Sequence, residues 1–313
     1  MADYFDIADL SLQSTAPGNV LLYDDKDLPS VMVKIPKFKL SDVIAGGADT
    51  YHPMFIVGGN VLDYICISKY QNVVENGRAY SLPGKDPATG TGVSWTNAKA
   101  YCEAKGTGWH LMTAVEYAGI ALWCKANGFL PKGNNSYGKD STESLQKALP
   151  ATYDSNGRIN HTLTGTGPLT WNHNNEPDGI ADLNGNVSEW AGAKRTVKGE
   201  LQFLVDNNGA NSANDQSASS SAWKAIDATT GAFITPNGSG TTTNSVKVDC
   251  VGSRPQYAIS ITTTSSSFSG NFAQISCSGD ISDACKLVLR AYGLLGEAGC
   301  SSADYGDDVL YFN

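Results

Sequence analysis

The sequence has few charged residues and no long apolar run. Only 17% of its 313 residues are charged, and acidic residues outnumber basic ones, which leaves a net charge of -9. A diffuse negative charge repels phosphate backbones, so we expect no nucleic-acid partner. No apolar stretch reaches the roughly 20 residues that a membrane span needs, so we expect no membrane insertion. The first residues are acidic and lack the basic and apolar regions of a leader, so no signal peptide is predicted.

Residues that carry redox, metal or nucleophilic chemistry are scarce. The seven cysteines are odd in number, and they include no C-x-x-C pair and no cysteine–histidine spacing typical of zinc. We interpret the cysteines as free, mostly buried thiols of a protein in a reducing compartment. The chain has four histidines, and no serine or cysteine stands in a sequence context typical of a nucleophile. We therefore predict a protein that is not an enzyme.

The sequence is rich in glycine, apolar residues and short periodic segments. Its 33 glycines and 41% hydrophobic residues predict a loop-rich protein with a real core. Alternation in Ser30–Leu40 predicts a strand. The Gly58-Gly59-Asn60 break between two apolar runs in Pro53–Tyr70 predicts a hairpin.

Two helices are predicted after this hairpin. One covers Ser94–Ala104, and the other follows a capping box formed by Thr113 and Glu116 and is ended by Gly128. The remaining predictions are a short helix over Ser141–Leu149 with Asp140 and Glu143 as its cap, a metal-binding or turn-rich loop over Trp171–Asp182, a surface excursion or disordered segment over Asn207–Ser221, strands over Ser245–Cys250 and Tyr257–Ser278, and a helix over Asp280–Tyr292.

Three motifs in this order carry a resemblance to a known family. They are Ser94-Trp-Thr-Asn-Ala98, Trp109-His-Leu-Met-Thr-Ala-Val-Glu-Tyr-Ala118 and Gly185-Asn-Val-Ser-Glu-Trp190. The chain resembles the formylglycine-generating-enzyme (sulfatase-modifying-factor) superfamily from about Ser30 to about Trp190. The resemblance implies an α+β, C-type-lectin-like fold of the formylglycine-generating-enzyme type, loop-rich, with antiparallel sheets and two main helices.

The resemblance also suggests a domain organisation. Residues 1–28 are predicted to be an N-terminal lead-in or assembly segment, and residues 29–313 one C-type-lectin-like domain with long insertions at about 195–280. The family's enzymes carry R-x-C and G-F-R-C stretches near the C-terminus, and this sequence has neither. The final strands of the fold are also missing from the pattern. A truncated version, a partner-completed version and a diverged ending are all open interpretations.

The stretch Asp182–Glu189 is a candidate calcium site. Calcium takes oxygen ligands from carboxylates and carbonyls, and this stretch places two acidic residues around an Asn-Gly-Asn turn. The resemblance implies a structural Ca2+ held by Asp182, Gly185, Val187 and Glu189. The alternative is a turn held by asparagine and aspartate hydrogen bonds without metal.

The tryptophans divide into core and surface candidates. Trp95, Trp123 and Trp190 lie on regular elements or motif positions, which favours burial in the core. Trp223 follows the serine-rich segment and is predicted to be the more exposed ring. It is therefore the candidate for ligand binding, because aromatic faces can stack on sugars.

One branch of the superfamily fits the sequence better than the enzymes do. Val31-Met-Val-Lys-Ile-Pro-Lys-Phe38 and His52-Pro-Met-Phe55 resemble phage and prophage tail-associated proteins, some of them variable proteins of diversity-generating retroelements. This resemblance implies a receptor-binding protein at the virion tail tip, made in the bacterial cytoplasm. Its partners would be a host cell-surface receptor, protein or glycan, and either copies of itself in a homotrimer or other tail proteins. The alternatives are a formylglycine-generating-type oxidase and a stand-alone calcium-dependent lectin.

Overall fold

The computed structural model describes residues 7–145, 147–263, 267–301 and 309–312. Its helices are α1 Ile7–Thr15, α2 Leu40–Val43, α3 Trp95–Glu103, α4 Ala114–Ala126 and α5 Asp283–Ala291. Its strands are β1 Asn19–Tyr23, β2 Pro29–Pro36, β3 Ile56–Val57, β4 Asn60–Val61, β5 Tyr64–Ser68, β6 Val73–Glu75, β7 Arg78–Tyr80, β8 Gly133–Asn134, β9 Asn184–Gly185, β10 Lys194–Val197, β11 Glu200–Phe203, β12 Lys224–Ile226, β13 Phe233–Ile234, β14 Lys247–Val251, β15 Arg254–Ala258, β16 Phe268–Asn271, β17 Ser276–Cys277 and β18 Val309–Phe312.

The chain divides into two compact units. The first comprises Met1–Lys37, Asp63–Leu111 and Phe129–Trp190, and the second comprises Phe38–Leu62, Met112–Gly128 and Ala191–Asn313. Few helices and mainly antiparallel strand pairs give the mixed α+β class that the sequence predicts. Among the described residues, none of the helices is both long and apolar enough to cross a bilayer.

The first unit is built on a three-stranded antiparallel sheet in the order β1-β2-β5. The predicted strand at Ser30–Leu40 is confirmed as β2, which pairs Val33 with Ile67 and Ile35 with Ile65. These four side chains are buried, so cross-strand apolar pairs form the core of the sheet. β1 lies inside the predicted lead-in and pairs with β2, while the boundary at residue 28 stays a prediction.

Helix starts follow the local signals in the sequence. Ser94 caps α3 by accepting a hydrogen bond from the backbone N–H of Asn97. Thr113 and Glu116 form the predicted capping box of α4, and Ser282 caps α5. The three helix predictions are confirmed. Each helix starts where predicted because its cap satisfies backbone N–H groups that have no partner within the helix.

The second unit is built on a sheet in the order β13-β12-β11-β14-β15-β17, with β10 paired to β11. Only β15 and β17 pair in parallel among these strands as the structure describes them. Its core contains Leu201, Phe203, Ile226 and Tyr257, each at most 1% exposed. The rings of Phe203 and Tyr292 meet edge to face at 4.9 Å, which attaches the segment after α5 to the sheet. The predicted hairpin is also here, as β3 and β4 joined across Gly58 and Gly59.

Two elements differ from the sequence prediction. The predicted helix over Ser141–Leu149 is wrong, since its described residues form turns and bends. Asp140 accepts hydrogen bonds from Thr142 and Gly133, and Glu143 accepts from Trp171, so both side chains stabilise a loop. The predicted strand over Tyr257–Ser278 is interrupted, and its described part contains the end of β15, then β16 and β17.

Candidate functional site

The loop Asp182–Trp190 contains the short strand β9 and has an unusual backbone. Asp182, Gly185 and Asn186 all have positive φ, at 58°, 76° and 62°. β9 runs parallel to β8, and the backbones approach closely because Gly133 and Gly185 lack side chains. A Cβ on Gly133 would lie 1.6 Å from the carbonyl oxygen of Asn184, and one on Gly185 would lie 2.5 Å from that of Asn134. The Asn-Gly-Asn turn therefore has a steric cause.

The side chain of Asn186 is the hub of this loop. Its Oδ1 accepts from the N–H and hydroxyl of Thr162 at 2.8 and 3.1 Å and from Nδ2 of Asn134 at 3.2 Å. Its Nδ2 donates to Oε1 of Gln71 at 2.9 Å and to the carbonyl of Thr162 at 3.1 Å. Every hydrogen-bonding atom of this amide is used, so Asn186 ties the loop to three separate segments of its unit.

Gln71 closes the same network from the other side. Its Nε2 donates to the carbonyl oxygens of Asp182 at 3.1 Å and Gly185 at 3.2 Å. The Gly185 carbonyl also accepts from the N–H of Val187 at 2.8 Å. One neutral amide therefore donates to the Gly185 carbonyl, which is a candidate calcium ligand, and to the backbone carbonyl of Asp182, whose side chain is another candidate ligand.

Asp182 is the one buried acidic side chain of the loop. It is 1% exposed, and its Oδ2 accepts from the N–H of Gly165 at 2.7 Å. Its Oδ1 is buried without a hydrogen-bond partner among the described residues. Burial raises the pKa of this carboxyl to about 6, although the Gly165 hydrogen bond lowers it.

This loop lies within a longer stretch that matches a known family. Residues 12–234 match the Sulfatase-modifying factor enzyme 1-like domain. The chain belongs to this family. Membership supports the C-type-lectin-like fold that the motifs imply. Comparison with curated proteins gives no significant match.

The residues that the family resemblance implies as calcium ligands differ in their surroundings. The unpartnered oxygen of Asp182 suits a cation ligand, but the Gly185 carbonyl already carries two hydrogen bonds. Glu189 is exposed whereas Asp182 is buried. No cluster of three or more histidine, cysteine, aspartate or glutamate side chains suited to a metal occurs in the described part of the chain. The hydrogen bonds to the Gly185 carbonyl and the exposure of Glu189 favour a turn held by amide hydrogen bonds, and calcium binding by the four residues stays a prediction.

The tryptophans are placed differently from the prediction. Trp223 is 2% exposed, donates from Nε1 to the carbonyl of Ser217, and has the guanidinium of Arg195 4.5 Å from its ring centre. The predicted exposure of Trp223 is wrong, because the ring packs with Ala193 and Leu204 in a buried cluster and donates to Ser217 of the serine-rich segment. Its candidate role in ligand binding loses the exposure on which it rested. Trp190, predicted to be core, is 50% exposed, and its Nε1 donates to the carbonyl of Val93. Trp95 and Trp123 are intermediate in burial.

Burial keeps five of the seven cysteine thiols protonated. Each of the seven lies in the described residues, and none of them is in a disulfide. Burial raises the pKa of five of these thiols, to about 11 for Cys102 and about 12 for Cys124 and Cys285; the other two of the five are Cys66 and Cys277. Cys277 further raises the pKa of Cys285, so it disfavours the Cys285 thiolate.

The residues that hold the loop were not among the predicted site residues. Asn186 lies inside the motif, and the tight turn around Gly185 was a signal that its side chain bonds locally. Gln71, Thr162 and Asn134 come from distant segments and carry no local signal. Their part in the site follows from tertiary contacts alone.

Proposed function

We propose that this chain is a recognition protein of the phage or prophage tail type. It displays a ligand-binding face on a C-type-lectin-like scaffold and binds a host cell-surface receptor, as a homotrimer or together with other tail proteins. The proposal places it at the tail tip after synthesis in the bacterial cytoplasm. Diversification of the face by a retroelement belongs to the same proposal, and its genomic test is a neighbouring reverse-transcriptase gene.

The state of the thiols is the observation that carries this proposal. Cysteine acts as a nucleophile and as a metal ligand in its thiolate form. Thiols whose pKa is raised by burial to about 11 or 12 are almost entirely protonated near neutral pH. The alternative oxidase would require an accessible pair of reactive thiols. Cys285 is fully buried, so the chemistry of this chain favours recognition over oxidation.

The histidines point in the same direction. Burial lowers the pKa of His52 and of His173 to about 4, so both rings are neutral at physiological pH. His52 accepts from the N–H of Met54 at Nδ1, and its Nε2 donates to the carbonyl of Ala291. His173 accepts at Nδ1 from the N–H of Ile180. Both rings are fixed inside their units as hydrogen-bonding elements.

The oxidase alternative is tested by a peptide conversion assay. The purified chain is incubated aerobically with copper and a cysteine-containing peptide, and mass spectrometry follows conversion of the cysteine to an aldehyde. We expect the peptide to stay unchanged, and iodoacetamide to alkylate native Cys285 far more slowly than the urea-unfolded chain. Aldehyde formation that disappears in a Cys277→Ser or Cys285→Ser variant would overturn the proposal.

A further inference from the structure

A cavity of about 750 Å³ opens on the second unit. Its walls come from the turn between β10 and β11, the threonine-rich loop 240–244, strand β14, the segment 259–263 and Phe268. Most of these residues follow position 234, where the family match ends. The cavity is therefore built largely by residues beyond the family match, and its volume lies within the range of small-molecule sites, roughly 300–1,000 Å³.

A buried lysine joins two walls of this cavity. Lys247 is 7% exposed, and its ammonium donates to the carbonyls of Thr242, Ser245 and Ile259 at 3.0–3.1 Å and to the Ser245 hydroxyl at 2.9 Å. Three ammonium protons are thus shared among four protein acceptors. Lys247 holds the loops in place and has no proton left for a ligand.

Two buried carboxylates fix the same loops. Glu200 is fully buried and accepts from the N–H of Thr242 at 3.0 Å and the hydroxyl of Ser245 at 2.7 Å. Asp249 is 2% exposed and accepts from the backbone N–H groups and hydroxyls of Thr262 and Thr263. Three buried charged groups thus organise the walls before any ligand arrives, which lowers the entropy that binding must overcome.

The surface that these loops present is rich in uncommitted hydroxyls. Thr196, Thr243 and Ser260 line the cavity and are exposed. Their hydroxyls make no hydrogen bond within the described part of the chain. Ile261, 39% exposed, and Phe268 add apolar surface beside them. No carboxylate belongs to the described lining, and Lys198 contributes the one lining ammonium besides Lys247.

We propose that this cavity binds a short saccharide without calcium. Hydroxyls that both donate and accept match the hydroxyls of a sugar ring, and the apolar patch matches the C–H face of that ring. An anion such as phosphate would instead require several available cationic donors, whereas the lining offers Lys198 alone. The inference rests on the proposed function, because it names a glycan as the class of receptor.

Saturation-transfer NMR and calorimetry on the full chain provide the test. The probes are glucose, galactose, mannose, rhamnose and N-acetylglucosamine with their disaccharides, and inorganic sulfate and phosphate, each with and without EDTA. We expect at least one saccharide to bind with EDTA present. Thr243→Val should weaken it about tenfold by removing one hydroxyl, and Ser260→Trp should abolish it by filling the cavity. Thr96→Val, an exposed threonine on α3 outside the lining, is the matched control and should bind like the parent.

Three results would overturn the inference: no binding by any saccharide, binding by sulfate or phosphate alone, or saccharide binding that Ser260→Trp leaves unchanged. Circular dichroism and the unfolding midpoint establish that the variants are folded. Retention of the chain on bacterial envelopes separates this inference from the proposed function. Retention that survives Ser260→Trp overturns the cavity assignment and leaves the recognition proposal standing. Saccharide binding without retention on any envelope supports the cavity and counts against host recognition.

Discussion

At the residue scale, Asn207 connects parts of the second unit that the sequence treats as unrelated. It is 1% exposed, although it begins a segment predicted to be a surface excursion or disordered. Its Nδ2 donates to the carbonyl of Met54 and to Oε1 of Glu116, both at 2.8 Å, and its Oδ1 accepts from the hydroxyl of Thr113 at 2.7 Å. The capping box of α4 is therefore continued by a third side chain.

We expect Asn207→Ala to destabilise the chain by about 2–4 kcal/mol, because it removes three buried hydrogen bonds and leaves the Glu116 carboxylate without one of its donors. Urea unfolding followed by circular dichroism measures this change. Asn211→Ala, at an exposed position of the same segment, is the control and should cost less than about 0.5 kcal/mol. Equal effects of the two substitutions would show that the Asn207 network contributes no stability.

His52 should make stability depend on pH. Burial lowers its pKa in the folded chain to about 4 from an ordinary value of 6.5, so between these values the unfolded chain binds the proton more strongly. Stability from this residue is complete above pH 6.5 and is lost as the pH falls towards 4, by about 3 kcal/mol in total. His52→Gln should reduce the slope of unfolding free energy against pH in this window. Identical slopes for the variant and the parent chain would contradict the assignment.

Residue-level predictions succeeded where the signal was local. Thr113, Glu116, Ser94 and Ser282 cap helices as expected, because a cap and its target lie within three residues of each other. Exposure of Trp223 was predicted wrongly because it depends on how the ring packs with Ala193 and Leu204 in the folded chain. Composition alone does not report that packing.

At the scale of elements, the loop after β9 is a polar network that Gln71 completes. Its amide donates to the Asp182 carbonyl and to the Gly185 carbonyl, and the family resemblance implies the latter as a cation ligand. The motif was therefore sufficient to find the loop and insufficient to give its chemistry. Gln71 lies between β5 and β6, far from the motif in sequence. Its role could therefore be seen only in three dimensions.

The calcium prediction and the amide network differ in a measurable way. We expect EDTA and calcium to leave the unfolding midpoint of the parent chain unchanged, because a neutral amide already satisfies both carbonyls. Gln71→Glu places a carboxylate beside two carbonyls and should lower the midpoint in EDTA, with recovery in millimolar calcium. Gln71→Leu, which has neither donor nor charge, is the matched control and should be destabilised by about 1–3 kcal/mol in both conditions.

A fall of several degrees in the midpoint of the parent chain on adding EDTA would contradict this account. It would instead support the metal implied by the resemblance at Asp182, Gly185, Val187 and Glu189. Isothermal titration with calcium at pH 7.5 reports the same difference directly, as heat of binding to the parent chain.

Element-level prediction worked best for isolated, strongly patterned segments. β2, α3, α4 and α5 follow alternation, caps and helix stops that the sequence shows plainly. The predicted helix at Ser141–Leu149 failed because Asp140 and Glu143, expected to cap it, bind a loop instead. Leu145 in that segment is 91% exposed, so it contributes no packing that could hold a helix on the unit.

At the scale of the whole molecule, the family domain and the later strands have different parts in the account. The match over residues 12–234 covers the motif loop and the α+β scaffold, which the sequence motifs predicted. The cavity depends on buried Glu200, Lys247 and Asp249. The sequence did not indicate their hydrogen bonds to the surrounding loops. Most of the proposed ligand site therefore lies beyond the family match, while Glu200 and the turn between β10 and β11 lie within it.

The most direct test of the recognition proposal is retention of the purified, labelled chain on isolated cell envelopes from a broad panel of bacterial strains. We predict saturable retention on a subset of strains, competed by their released surface polysaccharide and lost in Ser260→Trp, with Thr96→Val retained like the parent. Absence of retention across the panel, together with aerobic conversion of the cysteine peptide to an aldehyde, would contradict the account and identify the chain as an oxidase.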